Sequence, residues 1–197
     1  MSLTLALKPT IVDRFLPKSI VTDSALVLGG TALTALAAQW TIATTPVPIT
    51  GQTFAVLLVG AAIGSSRAAL SMLLYLLVGA AGLGVFQGGK SGLFDETGHL
   101  TGTLGYLVGF IVASTIVGFL AERGWSKSVV GVVGAFVIGN LAIYAFGLPW
   151  LQFSYQATWA QTLDWGFTPF VWWDLAKLAV AAGLLPAAWL LVDKIKK

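Results

Sequence analysis

Apolar residues run through this chain in long stretches, and polar residues gather in the short segments between them. A membrane span needs about 20 mainly apolar residues, rising about 1.5 Å each across a hydrocarbon core of about 30 Å. On that measure the runs predict helices over 24–43, 53–66, 68–86, 101–121, 128–149 and 169–192. The second run is short for a span. It works as one arm of a helical hairpin turned at Ser65-Ser66 and Arg67. The expected fold class is an all-α integral membrane protein of six transmembrane helices, a single membrane domain over 1–197. No soluble domain, low-complexity tract or internal repeat stands out.

Composition sharpens this picture. With 57% hydrophobic and 10% charged residues, and a mean hydropathy of +0.87, the chain has more apolar surface than one soluble core can hide. A bilayer is the solvent that tolerates it. The net charge of +3 would suggest nucleic acid on a soluble domain, but here the basic residues sit between apolar runs and report orientation, so no nucleic-acid partner is expected. Nine of the eleven, Lys8, Arg14, Lys18, Arg67, Arg123, Lys127, Lys194, Lys196 and Lys197, fall on one side of the predicted spans. Lys90 alone falls on the other, and Lys177 lies within a span. The positive-inside rule then makes both termini cytosolic, as an even number of spans requires, in a multi-pass protein of the cytoplasmic membrane. Residues 1–23 carry charges and two prolines where a signal peptide would have an apolar core, so they read as a cytosolic arm.

Three segments face outward. Residues 44–52 are uncharged and stiffened by Pro46 and Pro48, so they can fold back over a cavity without desolvating a charge. Residues 87–100 are glycine-rich. Residues 150–168 hold Trp150, Tyr155, Trp159 and Trp165, an aromatic belt, and most of the eight tryptophans, Trp125 and Trp189 included, read as interfacial anchors.

Candidate chemistry is sparse. There is no cysteine, and His99 is the single histidine, which removes thiolate catalysis, cysteine-ligated metals and histidine clusters. Gly84 to Ser91 matches a phosphate-binding loop letter by letter. An apolar helix precedes it and Gly92 follows, where a nucleotide loop needs a strand before and a helix start after, so it reads as a glycine turn. Asp174 and Lys177 open the sixth run three residues apart, a spacing that puts both on one helix face. An ionisable group inside a membrane costs about 2.5–3.5 kcal/mol on insertion scales, which makes the pair a candidate site or a mutually neutralised staple. As a site, a carboxylate and an ammonium complement the edge of a urea or amide. Lys177 could instead hold a substrate carboxylate, or Asp174 could relay protons.

Other polar and small positions have packing roles to offer. Asn140 reads as an interhelical hydrogen bond. Gly102, Gly105 and Gly109 share a face of the fourth run, with Tyr106 near its outer end. In the first run Gly30, Thr34 and Ala38, with Thr31 and Ala35 beside them, form a small-residue surface for another helix of this chain or of a partner.

The chain resembles BioY, the biotin-binding S component of energy-coupling factor (ECF) vitamin transporters, nearly end to end. The resemblance rests on Val47-Pro48-Ile49-Thr50-Gly51-Gln52-Thr53-Phe54-Ala55, on Tyr75 to Gly79 and Gly82 to Phe86, on Thr101 to Phe110, and on Pro169-Phe170 followed by Asp174 and Lys177. It implies the six-helix S-component fold, with biotin bound from outside beneath the loop joining the first two helices. It places Asp174 and Lys177 on the ureido ring, with Thr50 and Gln52 in the lid and Tyr106 at the site. Gln87 is the candidate for the family's ureido-binding asparagine near the 87–99 loop. Biotin is then transported cargo, with no cofactor and no metal. Energy would come from an ECF transmembrane coupling subunit and two cytosolic ATPase subunits, with the Gly30/Thr34/Ala38 or Thr31/Ala35 stripe as docking face. The chain departs from the family where Leu100 to Tyr106 replaces GPTGGY, where Trp172-Trp173 replaces Pro-Gly, and where Asp95 and Glu96 enter the outer loop.

Three other readings remain. The chain could be an S component for another vitamin, or a proton-coupled carrier or channel with Asp174 as relay. An intramembrane enzyme fits least, because no nucleophile triad, zinc motif or paired intramembrane carboxylate is present.

Overall fold

The apolar runs do form helices, and local chemistry sets where each one ends. The computed structural model describes residues 9–95 and 98–195; Lys8, Glu96, Lys196 and Lys197, used above for orientation and loop charge, lie outside them. In chain order the helices are α1 (Ile20–Ala38), α2 (Gln52–Ile63), α3 (Ser65–Ala80), α4 (Leu104–Ala121), α5 (Val129–Tyr155), α6 (Trp159–Gly166) and α7 (Val171–Ile195). Ser19 caps α1 by accepting the Thr22 N–H at 3.1 Å. The chain then turns through an antiparallel ribbon of β1 (Thr41–Ile42) and β2 (Ile49–Thr50), so the helix stops at Ala38, short of the end predicted at 43.

Among the described residues four stretches, Ile20–Ala38, Leu104–Ala121, Val129–Tyr155 and Trp159–Ile195, are long and apolar enough to cross a membrane. The α2 and α3 helices are apolar but shorter, at 12 and 16 residues. Large apolar side chains stand exposed along the helices, among them Leu28, Leu36, Leu141, Val180 and Leu190. Surface of that kind suits hydrocarbon.

The hairpin of α2 and α3 turns one residue earlier than predicted. Gly64, at φ +86°, makes the reversal, and Ser65, Ser66 and Arg67 are already the first turn of α3. Only glycine takes that backbone without strain. Glu122, at the end of α4, accepts the Ser65 N–H at 2.7 Å and so satisfies a helix-start donor. At the opposite end of the molecule α5 runs past the predicted stop at 149 to Tyr155, with Pro149 inside it. The segment expected as open loop also contains α6, which begins with a capping box between Thr158 and Gln161.

The core lies where α2, α4 and α5 meet, around Val56, Leu57, Ala113, Val117 and Phe136. Gly105 and Gly109 bring α4 against α5: a Cβ on Gly105 would stand 2.5 Å from the Phe146 carbonyl, and one on Gly109 3.0 Å from the Ile143 backbone. The close helix contact expected of that glycine face is made within the chain.

The small-residue stripe of α1 is also used within the chain, the first of the two alternatives its pattern offers. Gly30, Thr31, Thr34 and Ala38 are buried, and Ala35 packs on the core. Thr31 donates to the Ser71 carbonyl of α3 at 2.9 Å, and a Cβ on Gly30 would meet Ser71 Oγ at 2.7 Å.

At the end of the bundle holding Gly64, the arm preceding α1 is clamped down. Arg67 pairs with Asp13 and with Asp23, each at 2.7 Å. Burial opposes charge on Asp13, but hydrogen bonds from Arg67 and Thr10 outweigh it and hold the carboxyl below its ordinary value of 3.8. Trp189, expected at the bilayer interface, is instead buried. It donates to Ser126 Oγ at 3.0 Å, and the Lys127 ammonium lies 4.3 Å from the centre of its ring.

Candidate functional site

At the other end of the bundle, where α2 and α4 begin and α5 finishes, a cavity of about 650 Å³ opens. The doubly proline-stiffened loop supplies one wall through Pro46, Val47 and Pro48, with Val47 and Ile49 buried beneath. Phe86, Phe110 and Phe170 make it apolar, while Thr50, Gln52 and Gln87 add polar edges. A pocket of this size and mixed lining suits a small molecule with an apolar body and a few polar groups.

Thr50 and Gln52 belong to a hydrogen-bonded chain. Thr50 Oγ1 donates to Gln52 Oε1 at 3.0 Å and accepts the Gln52 N–H at 3.2 Å. Gln52 Nε2 donates to the Tyr75 hydroxyl at 2.6 Å, which donates to the Val85 carbonyl at 3.0 Å. The lid residues are thereby tied to α3 and to the loop after it, with their polar atoms held in fixed directions. Tyr106 lines the cavity with its ring while its hydroxyl donates to the Gly166 carbonyl at 3.1 Å, joining α4 to α6. Gln87 begins a single 3-10 turn, Gln87–Gly89, so the phosphate-loop look-alike is a glycine turn after α3.

Asp174 and Lys177 stand apart from this wall. They face a narrow niche between α2, α5 and α7, together with Thr53, Leu57, Phe136 and Asn140. The three-residue spacing does place both on one face: Lys177 Nζ lies 3.3 Å from Asp174 Oδ1. Asp174 is only 9% exposed and sits in the first turn of α7, where the helix dipole favours a negative charge. Two partners were not named from the sequence. The Tyr144 hydroxyl of α5 donates to Asp174 Oδ2 at 2.5 Å, and Lys177 donates to Thr53 Oγ1 of α2 at 2.7 Å. The pair thus ties α7 to both α2 and α5.

Thr53 lines both the niche and the large cavity, so its side chain is the partition between them. Asn140 shows no side-chain hydrogen bond among the described residues, contrary to the interhelical bond expected of it; it faces the niche one turn from Tyr144. That spacing of two polar residues in an otherwise apolar helix was the available signal for Tyr144.

Comparison with known proteins gives concordant findings. The BioY family model matches residues 8–194. A biotin transporter BioY of Thermotoga maritima is 39% identical over 155 residues, covering 77% of this chain and 86% of that protein. The biotin transporter BioY2 of Lactococcus lactis is 35% identical over 158 residues, covering 77% and 81%. A crystal structure of the S-component for biotin from an ECF-type ABC transporter superposes with a TM-score of 0.66 at 18% identity, over 91% of this chain and 95% of that one. At that identity the superposition shows a shared fold.

Proposed function

The chain belongs to the BioY family, and from that premise we propose that it captures biotin at the outer face of the cell membrane as the substrate-binding subunit of an ECF transporter. It is a transport subunit, not an enzyme, and biotin is its cargo rather than a cofactor. In this reading all of α1 to α5 and α7 cross the bilayer, α2 and α3 as a short hairpin, and both termini are cytosolic. Inward delivery draws on a transmembrane coupling subunit and two cytosolic ATPases.

The observation that carries the proposal is the abutment of a lidded cavity and an ion pair across one side chain, Thr53. Biotin's fused rings end in a ureido group with two N–H donors and one carbonyl. Asp174 accepts the N–H bonds and Lys177 donates to the carbonyl, each exchanging one of its protein partners for the ligand. Thr50 and Gln52 close the lid over the ligand, and Tyr106 and Gln87 shape its walls. The niche is too tight to hold a ring, so in this reading the ureido group reaches the pair by moving the Thr53 partition. A buried charged pair with satisfied hydrogen bonds makes that exchange affordable, because no ion is left bare at either end of it.

The test is a binding isotherm of the purified chain in detergent with biotin and with desthiobiotin, which keeps the ureido ring and lacks the sulfur. Saturable binding of both, one ligand per chain, is expected. Binding of neither by folded protein refutes the proposal.

A further inference from the structure

The arrangement around the ureido group leaves one end of the ligand unanswered, since biotin also carries a valerate carboxylate. A carboxylate entering an aromatic-lined cavity without a counter-charge loses hydration with nothing in exchange. Lys177 is assigned to the ring end and lies beside Asp174 and Thr53 on the far side of the partition. Arg14, Arg67, Arg123 and Lys127 lie around the opposite ends of the helices, in the arm before α1, at the start of α3 and between α4 and α5. The basic residue on the cavity wall itself is Lys90.

Its position is built by the backbone. The segment after α3 turns tightly, with the Phe86 N–H donating to the Lys90 carbonyl at 2.9 Å and the Lys90 N–H donating to the Gln87 carbonyl at 3.3 Å. Gly88 and Gly89, at φ +64° and +75°, allow that turn. It sets Gln87 and Lys90 on the same wall. The Lys90 side chain is exposed and makes no hydrogen bond or ion pair among the described residues, whereas Arg67 and Lys177 are both paired. The other charge on this wall, Asp95, accepts the His99 N–H at 3.0 Å and so is engaged in its own loop. An unpaired ammonium at the mouth of a cavity, on a flexible stem, is suited to meet an anionic group that remains partly in water.

We infer that Lys90 is the counter-ion for the carboxylate tail of the captured ligand, and so makes the site selective for the free acid over neutral tail derivatives. This rests on the capture reading above. With the ring end at Asp174 and Lys177 and the tail at Lys90, the ligand spans the cavity from the partition to its mouth.

The experiment compares biotin with biotinamide, whose tail is neutral, on the wild-type chain and on Lys90→Gln and Lys90→Glu. Calorimetry on the solubilised protein at low salt is the measurement. Lys90→Gln should weaken biotin roughly tenfold, the scale of one lost charge-assisted bond, and leave biotinamide within about twofold. Lys90→Glu should weaken biotin further, again sparing biotinamide. Added salt should narrow the gap between variant and wild type, since the pair is near water. Retained biotinamide binding also reports that each variant is folded. Equal effects of Lys90→Gln on acid and amide, or no effect on either, overturn the inference while leaving biotin capture standing. A wild-type chain that binds neither ligand overturns the capture reading instead.

Discussion

Replacing Asp174 by asparagine isolates charge from shape at the centre of the niche. The amide has nearly the volume of the carboxylate, so the packing around it persists. Its oxygen can still accept from Tyr144, which donates to Oδ2 at 2.5 Å, and Lys177 retains Thr53 at 2.7 Å. What disappears is the negative charge 3.3 Å from the Lys177 ammonium, and with it the charged acceptor that the proposal assigns to the ureido N–H groups. A hydrogen bond to a charged group contributes about 1.5–3 kcal/mol, and one carbonyl or amide oxygen in its place recovers only part of that. At about 1.4 kcal/mol per decade, losing one such bond weakens biotin by roughly 10- to 150-fold. Titration calorimetry on the solubilised chain reads the affinity, and a thermal melt with size-exclusion chromatography establishes that the variant is folded. Desthiobiotin provides the internal control, because it presents the same urea edge and should lose the same factor. Folded Asp174→Asn protein with affinity unchanged for both ligands would remove Asp174 from the site. A loss confined to biotin would show that the carboxylate does not read the urea edge.

Two further outcomes follow from the packing. Thr53→Val removes the acceptor that Lys177 uses on α2, so it should lower stability in detergent by about 0.6–2 kcal/mol, the scale of interhelical hydrogen bonds in membranes; an unchanged melting temperature would mean the bond contributes nothing. Asp13 has its folded pKa depressed below 3.8, so its contribution to stability is complete above that value and is lost as the pH falls through the depressed one. Asp13→Asn should therefore melt earlier than wild type at neutral pH and show a shallower drop in melting temperature on acidification; parallel acid curves would argue against the Arg67 clamp.

Much of the proposed site was legible because membrane chains make polar residues conspicuous. Asp174 and Lys177 stand out in an apolar run, and their spacing alone brings them together on α7. Thr50 and Gln52 come from a short motif whose residues meet through local hydrogen bonds. The partners of Tyr144 and Thr53 were not legible, lying 30 and 124 residues away with no local pattern joining them, even though the spacing from Asn140 marks Tyr144 as a polar position. The α1 stripe shows the same limit from the other side, since its small residues announced a close helix contact but not whose helix would make it. Trp189 is a third case. Its indole looked like an interfacial anchor until Ser126 and Lys127, from the α4–α5 connection, closed over it.

The sequence by itself determined that the chain is helical, that it lives in a bilayer, and that an acid and a base share one face of its last helix. Those properties follow from hydrophobic runs, helical period and the cost of charge in hydrocarbon, all of which act over a few turns of chain. Only the tertiary structure decided that the ion pair lies behind Thr53 rather than on the cavity wall, and that α3 covers the stripe of α1. It also decided that Lys90 reaches the mouth from a glycine turn. Each of these depends on which distant helices approach one another, and that is settled by the fit of whole faces in three dimensions.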